Sequence, residues 1–543
     1  MEAYVNSTPR TSRRTPRARG LLAALLLSGV AAAFSSALAQ DTLRIAMPSE
    51  PPSLDVHVTS SATGFLHGMI NATLVARDPY TGDFVPWLAE SWEVLDGGTS
   101  IRFDLRDDVY FHDGTNMTAE DVKVTFERMM DPEMAAPAAS NAGSLSGVTV
   151  VDDYTAIVHY DEPFAPAMLN MTNAYFGILS SAAIESMGDG FSQAPVGAGP
   201  FKIGRVVPGD RVELERYDDY AWAPPFYENQ GAALVDGITV MFIPDDATQL
   251  LLIQTDGLDL AGAPPRDVLR MTESGDVGEG ADLQSYAYLF AGVHYLGLTT
   301  CCERVTDEQA VRVAIAHAID REEIVDAALE GLAIPITGLY SPATWGYDPE
   351  MTGYAFDLEA SAAVLEEAGF TRGSNGNFQR DGQDLSFTVW TYNTPESVRV
   401  AQIVQAQLAD AGIDMQIQQM ESAALLGSTQ LGEHDALLIN YGWTDGGILT
   451  YFFHTNRLET TNRVHFSDPE VDRLLEKGES TVDVDERFAV YQELQTRLLE
   501  LSPWIPLYTP EITYLARSDV QGLIVNHYSG GFNFHDVYFG DQD

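Results

Sequence analysis

The feature that most constrains the fold is a strand–helix–strand pattern over residues 385–417. Alternating apolar residues predict a strand over 385–390, and Thr394 followed by proline predicts the start of a helix that ends at Gly412. Apolar residues at 413, 415 and 417 predict a second strand. Because strands joined by a helix are typical of a parallel sheet, the pattern favours an α/β fold whose ligand lies beyond the carboxyl ends of its strands.

Two predicted strands end in loops that suit a binding cleft. Residues 390–393 (WTYN) follow one strand, and residues 440–447 (NYGWTDGG) follow another over 436–439. Aromatic rings and small polar groups are typical linings of solute pockets, although the same rings could instead anchor the loops in the core. The loop after a first strand over 42–47 has the same placement. The candidate contacts by placement are Trp390, Tyr392, Asn393, Asn440, Tyr441 and Trp443, with Ser49 to Asp55, Ser60 and Ser61 as weaker candidates.

The first 39 residues have the pattern of a secretory signal peptide. Arginines between positions 10 and 19 precede a short apolar run over 21–33, and residues 37–39 (ALA) match a cleavage site. The run is too short to span a membrane, although an uncleaved N-terminal anchor is the alternative. Two adjacent arginines leave the twin-arginine route open beside general secretion. Since no cysteine follows the run, we expect a periplasmic protein without a lipid anchor.

The charge balance excludes several classes of partner. The chain has 79 acidic and 30 basic residues, a net charge of −49 at pH 7. Such a charge repels phosphate backbones and anionic lipids, so we expect no nucleic-acid or membrane-surface partner. The acidic residues are scattered and form no long run, which indicates a solvated surface. They also indicate a high-salt habitat, where screening weakens the repulsion among carboxylates.

Motifs for several common chemistries are absent from the sequence. There is no phosphate-binding G-x-x-x-x-G-K-[ST] loop, H-E-x-x-H helix, G-x-S-x-G elbow or C-x-x-C pair. The histidines are scattered without a metal-binding spacing, so we expect neither a metal nor a cofactor. The two cysteines, Cys301 and Cys302, are adjacent. They either form a vicinal disulfide that lines or supports the cleft, or remain two thiols.

A series of short motifs follows one another in a set order. Residues 88–94 (LAESWEV), 103–106 (FDLR), 111–114 (FHDG) and 118–122 (TAEDV) come first. Residues 197–201 (GAGPF), 312–321 (RVAIAHAIDR) and 504–508 (WIPLY) continue the series. Together, in this order and over nearly the whole mature chain, they resemble the family 5 extracellular solute-binding proteins of ABC importers. That family holds dipeptide-, oligopeptide- and nickel-binding proteins.

The resemblance implies an α/β fold of two lobes, the periplasmic binding protein fold of type II with an enlarged first lobe (cluster C-like). Residues 40–288 and 508–543 would form the first lobe with its extra subdomain, and residues 289–507 the second lobe. The solute would bind between the lobes. Closure would then present a surface to the permease subunits of an importer in the inner membrane. We expect the protein to be a monomer.

The resemblance also implies a role for Asp445. In peptide-binding members an aspartate that follows Gly-Trp in this loop pairs with the α-ammonium group of the ligand, and residues 442–445 (GWTD) match it. A buried carboxylate beside a cation makes a strong hydrogen bond. This chain departs just downstream, where residues 446–449 (GGIL) replace the usual Asp-Pro, and the departure weakens the assignment to peptides. The alternative is a loop aspartate that accepts from nearby backbone N–H groups.

The family resemblance therefore predicts a receptor and not an enzyme. The protein would capture a small solute, in the first place a peptide, and deliver it unaltered to the permease. An oligosaccharide, an opine-like compound or a metal chelate is the alternative solute for the same role. A sensor that binds without transport is a further alternative. An exported hydrolase is the remote one, because carboxylates are abundant but no motif selects a pair.

Overall fold

The computed structural model describes residues 41–59, 64–528 and 530–540. The predicted signal peptide and the candidates Ser60 and Ser61 lie outside the described residues. Helices and strands alternate along the described chain, and one strand, of 14 residues, is much longer than the others. The protein is therefore built from both element types, as the α/β prediction requires.

The strands are short where they close local hairpins and longer where they build the central sheet. They are β1 (Thr42–Met47), β2 (Val75–Arg77), β3 (Phe84–Pro86), β4 (Ala89–Leu95), β5 (Ser100–Leu105), β6 (Leu145–Asp152), β7 (Thr155–Tyr160), β8 (Phe201–Val207), β9 (Arg211–Arg216), β10 (Gly237–Phe242), β11 (Leu260–Gly262), β12 (Leu283–Leu289), β13 (Gly292–Leu298), β14 (Ala333–Pro335), β15 (Thr371–Arg372), β16 (Phe378–Arg380), β17 (Gln383–Asp384), β18 (Ser386–Tyr392), β19 (Asp414–Met420), β20 (Ala436–Gly442), β21 (Trp504–Arg517), β22 (Val520–Gln521), β23 (Ile524–Val525), β24 (Phe532–Asn533) and β25 (Tyr538–Phe539).

The helices cover the sheets and connect their strands. They are α1 (Gly64–Ile70), α2 (Ala119–Met130), α3 (Ala167–Asn170), α4 (Ser181–Met187), α5 (Asp246–Gln254), α6 (Pro265–Ser274), α7 (Gln309–His317), α8 (Arg321–Leu329), α9 (Leu358–Glu367), α10 (Pro395–Ala411), α11 (Ser422–Thr429), α12 (Ile448–Phe453), α13 (Pro469–Ser480) and α14 (Val484–Leu501).

Local sequence signals set the element boundaries as predicted. Helix α10 begins after Thr394, whose side chain accepts from the Ser397 N–H, and it ends at Gly412 with a φ of 84°. Glycine adopts this left-handed conformation at little energetic cost, so the helix ends there. Helix α2 begins with a capping box, in which Asp121 accepts from the Thr118 backbone N–H at 2.8 Å.

The central sheet is mixed. Among the described residues its strand order is β19-β18-β20-β13-β21-β11-β1-β10-β9-β8, and β12 and β14 also pair with β21. Strand β18 is parallel to both β19 and β20, which confirms the parallel unit predicted over residues 385–417. Strand β1 is parallel to β10 and β11, whereas β13 and β21 are antiparallel neighbours. A separate antiparallel sheet of order β4-β5-β7-β6 packs with α2.

The buried apolar side chains fall into two groups along the chain. One group consists of clusters from residues 43–283 and 515–537, and it includes Phe103 and Phe126. The other consists of clusters from residues 293–508, and it includes Trp504. Within the described part of the chain, no cluster takes buried residues from both groups. Each group therefore has its own hydrophobic core.

Strand β21 connects the two cores. Its residues 504–508 pair with β13, and its residues 511–517 pair with β12. The chain also passes from β12 to β13 through Phe290 and Ala291, and the Phe290 N–H donates to the Pro510 carbonyl at 3.1 Å. The two crossings therefore lie side by side.

Candidate functional site

The two loops predicted to bind solute lie at one edge of the sheet. Strands β18 and β20 run to Tyr392 and Gly442, so residues 390–392 and 440–442 lie in the strands and not, as predicted, in the loops after them. Because the two strands are parallel neighbours, the segments that follow them, from Asn393 and from Trp443, begin on the same side of the sheet. The Trp443 N–H donates to the Ala291 carbonyl at 2.6 Å, which places the second loop against the crossing between the cores. We call residues 390–393 and 440–447, with the side chains that contact them, the candidate site.

Asp445 is buried in this loop, with 2% of its surface exposed. Its two carboxylate oxygens accept from the Arg487 guanidinium, at 2.5 Å from Nη2 and 2.8 Å from Nη1. The Gly447 N–H also donates to the Asp445 carboxylate at 2.7 Å. The partners of Asp445 are therefore internal: a cation from α14 and a backbone N–H of its own loop.

The Arg487 guanidinium is enclosed by two aromatic rings and a backbone carbonyl. Its Cζ lies 4.1 Å from the centre of the Trp345 ring and 5.1 Å from that of the Tyr491 ring, and its Nε donates to the Gly478 carbonyl at 3.0 Å. Burial alone would lower the pKa of Arg487, but the charge of Asp445 more than offsets this, and the pKa lies above its ordinary value. The guanidinium is therefore a permanent counterion of Asp445.

The two glycines after Asp445 are required by close packing. A Cβ at Gly446 would lie 2.7 Å from the Tyr340 Oη, and a Cβ at Gly447 would lie 2.8 Å from the Asp445 carboxylate. The Tyr340 hydroxyl donates to the Gly446 carbonyl at 2.8 Å. The departure from the family sequence thus has a structural reason, since larger residues would displace the loop from Tyr340 and Arg487.

Two of the predicted aromatic contacts pack inside the second core. Tyr441 is 5% exposed, its ring centre lies 5.4 Å from that of Trp504, and its hydroxyl donates to the Leu339 carbonyl. Trp390 is half-buried, and its ring centre lies 5.4 Å from that of His434. Tyr441 therefore supports the loop from within.

The remaining candidates keep exposed surface. Trp443 and Tyr392 are half-buried, and no ring of another described residue stacks on that of Trp443. Asn393 and Ser49 are exposed, and Asn440 is half-buried in β20 opposite His294 of β13. These side chains are available to a solute in a way that Tyr441 is not.

Two arginines near the candidate site were not expected from the sequence. Burial lowers the pKa of Arg77, at the end of β2, and the nearby Tyr528 and Asp445 offset that lowering only in part. Burial raises the pKa of Tyr392, and the positive charge of Arg463, which precedes α13, offsets that rise only in part. No local motif marks either arginine, so only the fold could reveal them.

The two cores also touch away from the crossings. The Ala165 N–H donates to the Glu479 carbonyl at 2.7 Å, which joins the chain after β7 to α13. Nearby, a Cβ at Gly98 would lie 2.6 Å from a methyl group of Val482. The antiparallel sheet of the first core therefore packs against the turn between α13 and α14.

The cysteines lie elsewhere. Cys301 and Cys302 form a disulfide just after β13. Strand β13 ends at Leu298, opposite Ala436, whereas its other end, at Gly292, pairs with Gly442 of the candidate site. The disulfide thus lies at the far end of the strand, and the expectation that it supports the cleft is not met.

Over residues 41–59, 64–528 and 530–540, no group of three or more His, Cys, Asp or Glu side chains is arranged to hold a metal ion. In the same ranges no helix combines the length and the apolar composition that a membrane crossing needs.

The family model described as bacterial extracellular solute-binding proteins, family 5 Middle, matches residues 83–462. A probable di/tripeptide-binding protein 5 of Pseudomonas aeruginosa is 28% identical over 540 residues, which cover 93% of this chain and 96% of that protein. The glutathione-binding protein GsiB of Escherichia coli K12 is 25% identical over 83% of this chain and 85% of its own.

Solved structures agree with this assignment. The periplasmic binding protein DppA of Helicobacter pylori, in complex with the peptide STSA, has a TM-score of 0.74 at 26% identity over 92% of this chain and 98% of its own. NikA of Brucella suis, in complex with Fe(III)-EDTA, has a TM-score of 0.81 at 24% identity, over 92% of this chain and 100% of its own. The fold is thus that of the two-lobed periplasmic binding proteins of type II, as predicted. The chain belongs to the bacterial extracellular solute-binding proteins of family 5.

Proposed function

We propose that the protein is a periplasmic receptor that captures a peptide and delivers it, chemically unchanged, to the permease of an ABC importer. The observation that carries the proposal is similarity to a di/tripeptide-binding protein over more than nine-tenths of both chains. The DppA structure with bound peptide supports the same solute class. Export by the predicted signal peptide, cleavage after Ala39, the absence of a lipid anchor and a monomeric state are parts of this proposal.

The two hydrophobic cores support the proposed lobe boundaries. We assign residues 40–288 and 508–543 to the first lobe and residues 289–507 to the second lobe. Tyr508 still pairs with β13 and packs in the second core, and pairing with β12 begins at Glu511, so these contacts favour a return crossing at residues 509–510, just after the boundary at 507 and 508. Solute binding would favour the closed arrangement through its higher affinity for that state.

Within this role we propose different tasks for the predicted site residues. Trp443, Tyr392 and Trp390 offer ring surface to the solute, and Asn393, Asn440 and Ser49 offer polar groups. Tyr441 supports the loop from the core, where its hydroxyl is already used. Asp445 holds the loop through Arg487, and this task replaces that of an ammonium anchor.

The test combines identification with a measurement of closure. Small molecules that copurify are identified by mass spectrometry, and then dipeptides, tripeptides, maltotriose and nickel–histidine are screened by thermal shift. A bound peptide at 100 times its Kd should stabilise the protein by about 2.7 kcal/mol. Small-angle scattering with that peptide should show compaction. Selective stabilisation by maltotriose or by the nickel complex would replace the peptide by that solute class, and unchanged scattering at saturation would contradict closure.

A further inference from the structure

The two cores meet at a second place, away from the crossings of the chain. The Ala165 N–H donates to the Glu479 carbonyl at 2.7 Å, and a Cβ at Gly98 would lie 2.6 Å from a methyl group of Val482. Gly98 has a φ of 100°, a conformation that glycine adopts at little cost and other residues rarely adopt. We call Gly98, Ala165, Glu479 and Val482 the interlobe contact, because its two halves belong to different proposed lobes.

The first-lobe half of the interlobe contact is rigid. Residues 163–166 (PFAP) carry two prolines, whose rings fix φ. Between them, the Phe164 ring lies 2.6 Å from the position of a Cβ at Gly143, and its centre lies 5.9 Å from that of the Tyr160 ring. The Ala165 N–H is therefore held in place by its own lobe.

The second-lobe half is the end of α13, where the helix carbonyls lack partners. The last four carbonyls of a helix have no N–H of that helix to accept from. In α13 the Gly478 carbonyl accepts from the Arg487 Nε at 3.0 Å, and the next carbonyl, of Glu479, accepts from Ala165 of the other lobe. Arg487 is also the counterion of Asp445. Two adjacent carbonyls thus join the candidate site to the interlobe contact.

This connection places the interlobe contact on the cleft side of the crossings. Gly478 and Arg487 adjoin the loop of Asp445, which follows the carboxyl end of β20, whereas the chain crosses at residues 290–291 and 509–510. A rotation about the crossings that opens the cleft therefore moves the two halves of the contact apart. Opening then costs one hydrogen bond between the lobes and the apolar contact of Val482.

The interlobe contact is uncharged in a chain whose net charge is −49. It is made by two main-chain groups, a glycine and a valine side chain, and the Glu479 carboxylate lies near Arg457 and Arg487 of its own lobe. Acidic surfaces repel each other as they approach. A neutral contact can therefore form without bringing carboxylates of the two lobes together, and its formation does not depend on the chemistry of the solute.

We propose that the interlobe contact stabilises the closed arrangement, so that Gly98, Ala165 and Val482 set the dissociation rate of the solute from outside the candidate site. The inference rests on the proposed receptor function and assigns part of its affinity to residues beyond the binding loops. Because solute release requires opening, a contact made only in the closed arrangement slows release of any solute. Arg487 is then a positioning residue, since it fixes the end of α13 that carries Glu479.

A disulfide across the contact tests the proposal directly. A Cβ at Gly98 would lie 3.8 Å from the Val482 Cβ, which is the usual separation in a disulfide. Gly98→Cys/Val482→Cys should therefore form an intramolecular crosslink in air, which mass spectrometry of the intact protein detects. Crosslinking before trialanine is added should prevent its uptake, and crosslinking after binding should prevent its release during dialysis. The two single variants control for exchange with the Cys301–Cys302 disulfide.

Variants that weaken the contact test its effect on release. Val482→Ser removes the methyl groups, and Ala165→Pro removes the N–H donor. Each should raise the dissociation rate of trialanine about three- to tenfold, the range expected for one net hydrogen bond, and change its association rate less than about twofold. Stopped-flow tryptophan fluorescence measures both rates, and melting of each unliganded variant shows that it is folded. Val484→Ser is the matched control, because that valine is 63% exposed at the start of α14.

The failures of the two proposals look different. A folded double variant that forms no crosslink, or a crosslinked protein that still exchanges trialanine, would overturn the interlobe contact while the receptor stands. Dissociation rates of Val482→Ser and Ala165→Pro equal to that of Val484→Ser would also overturn it. If maltotriose binds and neither dialanine nor trialanine does, the peptide assignment fails, and the same rates measured with maltotriose decide on the contact. If none of these solutes binds, crosslinking alone decides whether the contact forms.

Discussion

Asp445→Ala is the substitution that best separates two accounts of the candidate site. If the Asp445 carboxylate has no charged partner until the ammonium group of a solute binds, its removal should leave the unliganded protein as stable as before. If it is the counterion of Arg487, its removal should destabilise the protein before any solute is present. The measurement is therefore the free energy of unfolding of the unliganded protein.

The expected loss follows from the burial of the pair. Asp445 is 2% exposed and Arg487 is 6% exposed, and two hydrogen bonds join them. Removal of one partner of such a pair leaves a buried charge without compensation, which costs about 3–5 kcal/mol. Arg487→Met should cost a similar amount, and the double variant should lose less than the sum of the two, because neither charge is then left alone.

Urea unfolding followed by circular dichroism measures these values. Asp108→Ala is the control, since its partner Arg106 is also near the surface and exposed pairs contribute little. A loss below about 1 kcal/mol for Asp445→Ala, or losses that add in the double variant, would refute the counterion account.

Three further predictions concern packing, pH and salt. Gly446→Ala should lower the free energy of unfolding by about 1–3 kcal/mol, because its Cβ would meet Tyr340. The control is Gly427→Ala, in open space on α11, which should leave stability unchanged. Differential scanning calorimetry checks this, and equal melting temperatures for the two variants would contradict it. Burial lowers the pKa of His57 and of His294 to about 3, below the ordinary value near 6.5, so the folded state excludes protons that the unfolded chain binds. The contribution of these histidines to stability should therefore be complete above pH 6.5 and fall toward acid by up to about 1.4 kcal/mol per pH unit for each histidine. His294→Phe should make the melting temperature less dependent on pH between pH 6.5 and 5. An equally steep profile in that variant would contradict the prediction. The net charge of −49 predicts a higher melting temperature in molar NaCl than at low salt, and no change would contradict the repulsion argument.

The elements of the fold could be predicted where local chemistry decides. Thr394 and Gly412 bound α10 because a cap and a left-handed residue act within one helical turn. The parallel pairing of β18 with β19 followed from the same short segment, whereas the pairing of β18 with β20 did not. The packing of distant segments could be predicted only from the family resemblance, because no periodic pattern in the sequence shows that β21 contributes to both cores.

Less of the candidate site than of the fold could be predicted from the sequence. A loop after β20 was predicted, although it begins at Trp443 and not at Asn440, but the counterion of Asp445 comes from a helix 42 residues further on. Nothing near Arg487 distinguishes it from the other helix arginines. The orientation of Cys301 and Cys302 was likewise beyond the sequence, since the direction of β13 decides which end of the sheet they occupy.

The composition of strand β21 determines where the molecule can bend between its two cores. It carries prolines at 506 and 510, which cannot donate backbone hydrogen bonds, and its register against β13 shifts between His294 and Tyr295. Bending at this stretch acts on the short ladder of residues 508–510 with β14 and on the Phe290 N–H bond to the Pro510 carbonyl, while the ladder with β12 beyond residue 510 stays intact. A rotation of one half of the molecule would thus concentrate its deformation in a few residues, and amide exchange there should report each opening while the flanking amides remain protected.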